Sequence, residues 1–169
     1  METKFYSIND NLNNAAIRIY PARKELHNVN SLLDEKTYLK LENEFRLYSG
    51  KKWNDILPWP DVGNIAISEN IKDIFESYNL TGWSCFPIII KNFPEKRYYA
   101  FQIISKRAGR ILNLKALNNY EEDRVKFDEN TWDGSDFFSL TDTAIIACTP
   151  IVKEIIEKQK IKVFTFYPL

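Results

Sequence analysis

"IAISENIKDIFESYNLTGWSCFPI" (Ile65–Ile88) and "IACTPIVKEIIEKQKIKVFTFYPL" (Ile146–Leu169) align without a gap at an offset of 81. Identities are few: Ala66 with Ala147, Lys72 with Lys153, Glu76 with Glu157 and Pro87 with Pro168. The succession of residue classes says more. A short apolar run comes first, then Ser68 or Thr149, residue types whose hydroxyl can accept a free N–H at a helix start. Pro150 follows Thr149 at the first helical position, where its missing N–H costs nothing. Ile71, Ile74, Phe75 and Tyr78 form one helical stripe, and Val152, Ile155 and Ile156 the other. Leu80 or Ile161 closes the helix, and each copy ends aromatic–Pro–aliphatic. The pattern predicts two similar strand–helix–strand units, by duplication or by coincident use of a common motif. Phe164, Phe166 and Leu169 are then expected in a paired, substantially buried strand.

Outward from these units, "KFYSI" reads as an opening strand and "IRIY" as a second, stopped by Pro21. Tyr38, Leu41, Phe45 and Tyr48 recur with helical spacing, which predicts a helix over Asp34–Tyr48 capped by Asp34 and ended at Gly50. "KKWNDILPWPDVGN" reads as a loop, since Pro58 and Pro60 bar a regular helix or a central strand there. "RYYAFQII" and "RILNL" flank "SKRAG", a hairpin with Gly109 supplying the positive φ of its turn. "NNYEEDRVKFDENTWDGSD" reads as a polar loop and "FFSL" as a short strand. The fold class is α+β: one domain over 1–169, or two packed lobes of about 1–90 and 91–169, with a mixed sheet, a β-hairpin and the two units.

A chain of 169 residues with 44% hydrophobic side chains has ample material for a core, burying roughly 70% of its unfolded surface. Twenty-three cations balance 23 acids, which argues against a general nucleic-acid binder. The charges are nonetheless segregated. Residues 96–115 hold six cations (Lys96, Arg97, Lys106, Arg107, Arg110, Lys115) and no acid, whereas 121–142 hold eight acids against Arg124 and Lys126. "METKFYSIND" shows no apolar run of a leader, and no stretch approaches 18 apolar residues, so a cytoplasmic protein without membrane contact is expected. Cys85 and Cys148 sit in apolar runs and read as reduced buried thiols, with a disulfide as the alternative.

Catalytic signatures are missing. His27 is the only histidine, and one His with two distant Cys falls short of a zinc site. No phosphate-binding glycine loop is present, and "WDGSD" lacks the frame of a serine elbow. Acid pairs such as Glu121/Glu122 and Asp133/Asp136 read as a solvated loop. Neither a cofactor nor a metal is expected.

Several stretches together resemble a known family: "NDIL" (Asn54–Leu57), Ile65–Ile88, the "RYYAFQII" strand, and the close "FFSLTDTAIIACTPIVKEIIEKQKIKVFTFYPL". In order and spacing they are similar to immunity-protein family eleven of bacterial polymorphic toxin systems, earlier an uncharacterised domain family, over roughly residues 50–169. One departure is Asn113 in "ILNLK", where the family pattern leads to Asp. The resemblance implies a small cytoplasmic, non-enzymatic protein that binds and neutralises a cognate toxin encoded beside it. Another protein-interaction module, or an enzyme whose site is assembled by the fold, are the alternatives. Given such a partner, the acidic run supplies the candidate face: Glu121, Glu122, Asp123, Asp128 and Glu129, with Trp132 as aromatic anchor. A basic hairpin bearing Lys106, Arg107 and Arg110 would serve an acidic partner instead.

Overall fold

The structure, a computed structural model, describes residues 5–22, 44–59, 65–105, 109–113, 125–140, 143 and 145–169. Among them lie twelve strands and two α-helices. In chain order these are β1 (Tyr6–Asp10), β2 (Arg18–Pro21), β3 (Glu44–Ser49), β4 (Ile56–Pro58), β5 (Ile65–Ser68), α1 (Glu69–Ser77), β6 (Trp83–Ile90), β7 (Tyr98–Ile103), β8 (Arg110–Ile111), β9 (Phe127–Asp128), β10 (Phe137–Ser139), β11 (Ile146–Cys148), α2 (Pro150–Lys158) and β12 (Phe164–Pro168). The chain is a single α+β domain with two compact units. One comprises described residues from 1–11, 79–83 and 103–169; the other comprises those from 12–78 and 84–102. These bounds do not coincide with halves at 1–90 and 91–169.

The second of these units is built on a six-stranded sheet, β2-β3-β6-β7-β5-β4. β3 runs parallel to β6, while β4 and β7 run antiparallel to β5. The 91–97 link between β6 and β7 is too short for the crossover that a parallel pair requires, so these neighbours form the sheet's hairpin. Ile17, Ile19, Phe45, Leu57, Trp59, Phe86, Ile88 and Ile90 are buried in one cluster against one face. Pro58 stands on the edge strand β4, the place in a sheet where a residue lacking an N–H breaks no ladder.

The other unit is built on a four-stranded sheet, β10-β11-β1-β12, antiparallel throughout its neighbouring pairs. Phe5, Val125, Phe127, Phe138, Leu140 and Ala147 form its core. β12 pairs with β1 over five registered positions, from Tyr6↔Pro168 to Asp10↔Phe164. Phe164 and Phe166 are paired in this strand but only half-buried, less than the substantial burial expected from the sequence.

Both strand–helix–strand units are present, and the likeness exceeds the sequence match. In each, the two strands of the unit lie parallel with one antiparallel strand inserted between them: β7 separates β5 from β6, and β1 separates β11 from β12. The partner of the first strand also corresponds, since Ile56↔Ile67 in one sheet is Phe137↔Cys148 in the other, again 81 residues on. Asp55 and Asp136 precede those partner strands. Each accepts the backbone N–H of its unit's cap residue, Ser68 at 2.8 Å or Thr149 at 3.0 Å. Each also accepts the cap hydroxyl, at 2.8 Å from Ser68 and 3.2 Å from Thr149. Lys72 lies over the Tyr99 ring at 5.4 Å, and Lys153 over the Tyr6 ring at 4.5 Å. These tyrosines occupy equivalent register positions, opposite Ile67 and Cys148. Both helices are followed by a left-handed residue, Asn79 at φ 53° and Lys160 at φ 57°. We read the pair as an internal duplication, with the inserted strand drawn from after one copy and from before the other.

Six expectations are corrected. Ile56–Pro58, inside a stretch read as a loop, is the edge strand β4. Residues 44–49 are strand, not the end of a helix: Phe45 is buried and pairs with Ile90, while Arg46 and Tyr48 turn outward, a period of two. The earlier part of that segment, Asp34 included, lies outside the described residues, as does His27. "RILNL" does not pair with "RYYAFQII"; β8 pairs with β9 instead. Gly109 lacks a positive φ, and its reason is space, since a Cβ there would stand 2.7 Å from the Phe127 ring. The acidic loop contains β9 and a 3₁₀ turn at Glu129–Thr131. Ser68 caps α1 through Ile71 N–H at 3.3 Å, whereas Thr149 holds the N-cap position of α2 without a side-chain cap bond, although both hydroxyls are donated to their unit's aspartate.

Candidate functional site

Of the predicted partner residues, Asp128, Glu129 and Trp132 are described; Glu121, Glu122 and Asp123 lie outside the described residues. Asp128 caps the 3₁₀ turn by accepting Asn130 N–H at 3.1 Å and pairs with Arg110 at 2.9 Å. The Asn130 amide first, and then its side chain and the Arg110 guanidinium, hold the Asp128 carboxyl below the usual carboxylate range. The acidic and basic candidate surfaces therefore meet in one ion pair and partly neutralise each other. Trp132 is half-buried, with its ring 4.9 Å from that of Phe5 and its N–H donated to Ser135 O. That indole is committed to the core. Glu129 is exposed. Lys106 and Arg107 fall outside the described residues. Asn113, the departure from the family pattern, accepts Lys126 N–H at 2.7 Å through its side-chain oxygen, a bond that a carboxylate would also accept.

The remaining reactive groups serve structure. Cys85 and Cys148 are both free thiols. Burial pushes Cys85 up to about 11 and Cys148 higher still, with the nearby Asp136 carboxylate adding to the second. Thiolates are the reactive form, so both are poor nucleophiles at neutral pH. Tyr98 is pushed up to about 12, first by burial and then by Asp55, and donates to Asn54 O at 2.6 Å. Asp136 accepts both the N–H and the hydroxyl of Thr81 at 2.8 Å as well as the Thr149 hydroxyl. Among the described residues no three His, Cys, Asp or Glu side chains come together as metal ligands. No helix there is long and apolar enough to cross a membrane.

On the six-stranded sheet, exposed apolar side chains and cations stand together. Strand alternation sends Phe45, Ile88 and Ile90 to the core face and Arg46, Tyr48 and Ile89 to the other. Helix α1 covers only part of that second face. Its buried residues are Ile71 and Phe75, and the Phe75 ring meets Phe101 of β7 at 6.4 Å. Toward β6, β3 and β2 no described helix covers the face, and Ile89 is 56% and Tyr48 62% exposed. Tyr20 stands opposite Arg46 in the β2–β3 register, with its ring edge-on to Tyr48 at 5.9 Å. Where β6 ends, Tyr20, Arg46, Leu47, Lys91, Asn92 and Phe93 line a cleft of about 370 Å³. Lys91 reaches Glu44 at 3.8 Å. Rings and aliphatic chains there lie beside the cations Arg46 and Lys91.

Sequence reasoning missed this face because "EFRLYS" had been given a helical period. The signal was the alternation Phe45, Leu47 against Arg46, Tyr48, followed by an isoleucine run, Ile88–Ile90, too long for one buried face of a strand. No protein-family model matches the chain, and no curated protein matches it; the likeness to the immunity family rests on the stretches quoted for it.

Proposed function

We propose that this chain is an immunity protein, a non-enzymatic cytoplasmic binder that neutralises a cognate bacterial toxin. The observation that carries the reading is the open face of the six-stranded sheet, where Tyr48 and Ile89 are more than half exposed. Exposed aromatic and aliphatic side chains beside arginine are the composition of protein interface cores. Support also comes from where the quoted family-like stretches fall. They supply β4, β5–α1–β6 and β7 of one sheet, and β10–β11–α2–β12 of the other. The resemblance thus follows the duplicated frame rather than scattered loops.

The test is co-expression with the toxin domain encoded beside the gene, scored for growth, together with isolation of the complex by gel filtration. Rescue by a stoichiometric, separable complex is expected. Failure to rescue, with the protein folded and expressed, refutes the reading. Rescue at far less than stoichiometric amounts would point to a catalytic antidote instead.

A further inference from the structure

We infer that the partner presents an acidic surface to the open face of the six-stranded sheet, with Arg46 and Lys91 as the cations that receive it and Tyr48 and Ile89 as the contacts that hold it. This inference rests on the immunity reading and names the chemistry of its partner. The charge of the cleft supports it. Of the residues that line it, Arg46 and Lys91 are the charged ones, and both are cations. Glu44 sits 3.8 Å from Lys91, and both are about half exposed, so the pair exchanges readily with an incoming carboxylate. Surface pairs of this kind contribute little to stability. Arg46 projects beside Tyr20 at the cleft, where its planar fork can take a carboxylate through two hydrogen bonds.

Among the described residues, the charged side chains of Asp128, Arg110, Lys72 and Lys153 are already engaged. Asp128 and Arg110 of the 110–132 region neutralise each other at 2.9 Å, and Trp132 is packed on Phe5. Lys72 and Lys153, the paired helix lysines, are engaged by Glu76 and Glu157 and by tyrosine rings. Arg46 and Lys91 therefore border the cationic cleft that also has exposed apolar neighbours.

The experiment measures association of the purified cognate toxin domain with the wild type, Arg46→Glu/Lys91→Glu, and Tyr48→Ala/Ile89→Ala, at 20 and 300 mM salt. All four substituted positions have exposed side chains, and circular dichroism checks that the fold is kept. Charge reversal is expected to lower the association rate at low salt by roughly tenfold or more and to flatten its salt dependence. The aromatic–aliphatic double variant is expected to raise the dissociation rate instead. If the wild type binds and both variants bind as the wild type does, this surface is overturned and the immunity reading stands. Absence of wild-type binding refutes both. A single-stranded 20-mer oligonucleotide serves as the second probe. If the oligonucleotide binds as tightly as the toxin and Arg46→Glu/Lys91→Glu abolishes both, the face is a phosphate site and the inference of an acidic protein partner falls.

Discussion

Removing the Asp136 carboxylate should cost far more than removing that of Asp55, although the two occupy equivalent places in the duplicated frame. Asp55 accepts one side-chain hydrogen bond, from Ser68 at 2.8 Å. Asp136 accepts three: the Thr81 N–H and hydroxyl at 2.8 Å each, and the Thr149 hydroxyl at 3.2 Å. The Thr81 hydroxyl also receives Asp136 N–H at 3.0 Å, closing a reciprocal pair between residues 55 apart in sequence. A hydrogen bond to a charged group contributes about 1.5–3 kcal/mol, but water reaches much of this site, so the upper end does not apply to all three. Asp136→Ala is expected to lose about 2–4 kcal/mol and Asp55→Ala about 1–2 kcal/mol. At about 2–4 °C per kcal/mol for a chain of this size, the first should lower the melting temperature by roughly 5–15 °C. Amide exchange across β1 and β11, compared with β5 and β7, assigns the loss to the four-stranded unit. A double-mutant cycle with Thr81→Val should give a coupling of about 1–2 kcal/mol. Equal costs for the two aspartates, or a coupling near zero, would refute the reasoning.

Deleting residues 164–169 removes all of β12 and its five registered positions on β1; the four-stranded unit should then lose its amide protection, and a truncated chain of unchanged melting temperature would contradict that. Cys85 and Cys148, held protonated by burial, should resist a thiol reagent at pH 8 in the native protein and react promptly in denaturant; rapid native labelling would place them at the surface. Carbon-detected titration should find the Asp128 carboxyl below the free-aspartate range. Arg110→Ala should raise it only in part, because the Asn130 amide, the largest cause, remains. Since the folded value is depressed, the stability Asp128 contributes is present above its unfolded value and fades as pH falls through the folded one; Asp128→Asn should therefore flatten the acid limb of a stability–pH curve.

The two strand–helix–strand units were legible because their signals are local. Ser68, Pro150 and the 3.6-residue stripes act within a few turns of chain. Carrying the ungapped comparison ten residues upstream would have set Asp55 against Asp136 and extended the frame to its partner strands. Pairing between distant segments left no such mark. Nothing near Tyr6 announces that it stands opposite Cys148, or that Tyr99 holds the same place opposite Ile67. β3 was misread because Phe45 and Tyr48, three apart, satisfy a helical period that parallel pairing to β6 overrode. In the acidic segment, only three-dimensional neighbours disclose that Asp128 pairs with Arg110 and that Trp132 packs on Phe5.

The strand inserted into the four-stranded sheet has a consequence for how the protein is made. Asn11, just beyond β1, bonds to Lys162 across 151 residues of sequence, whereas every strand of the six-stranded sheet lies between residues 18 and 103. During synthesis the six-stranded unit can fold before β11 and β12 have been translated, since domains form as their segments emerge. β1, made earlier than either, must wait for β11 and β12. Until they emerge it is an early strand without its sheet, exposed to capture by any other chain that offers an edge. Long-range closure of this kind is slow, so translation speed and chaperone access over the last third of the chain should govern the yield of folded protein.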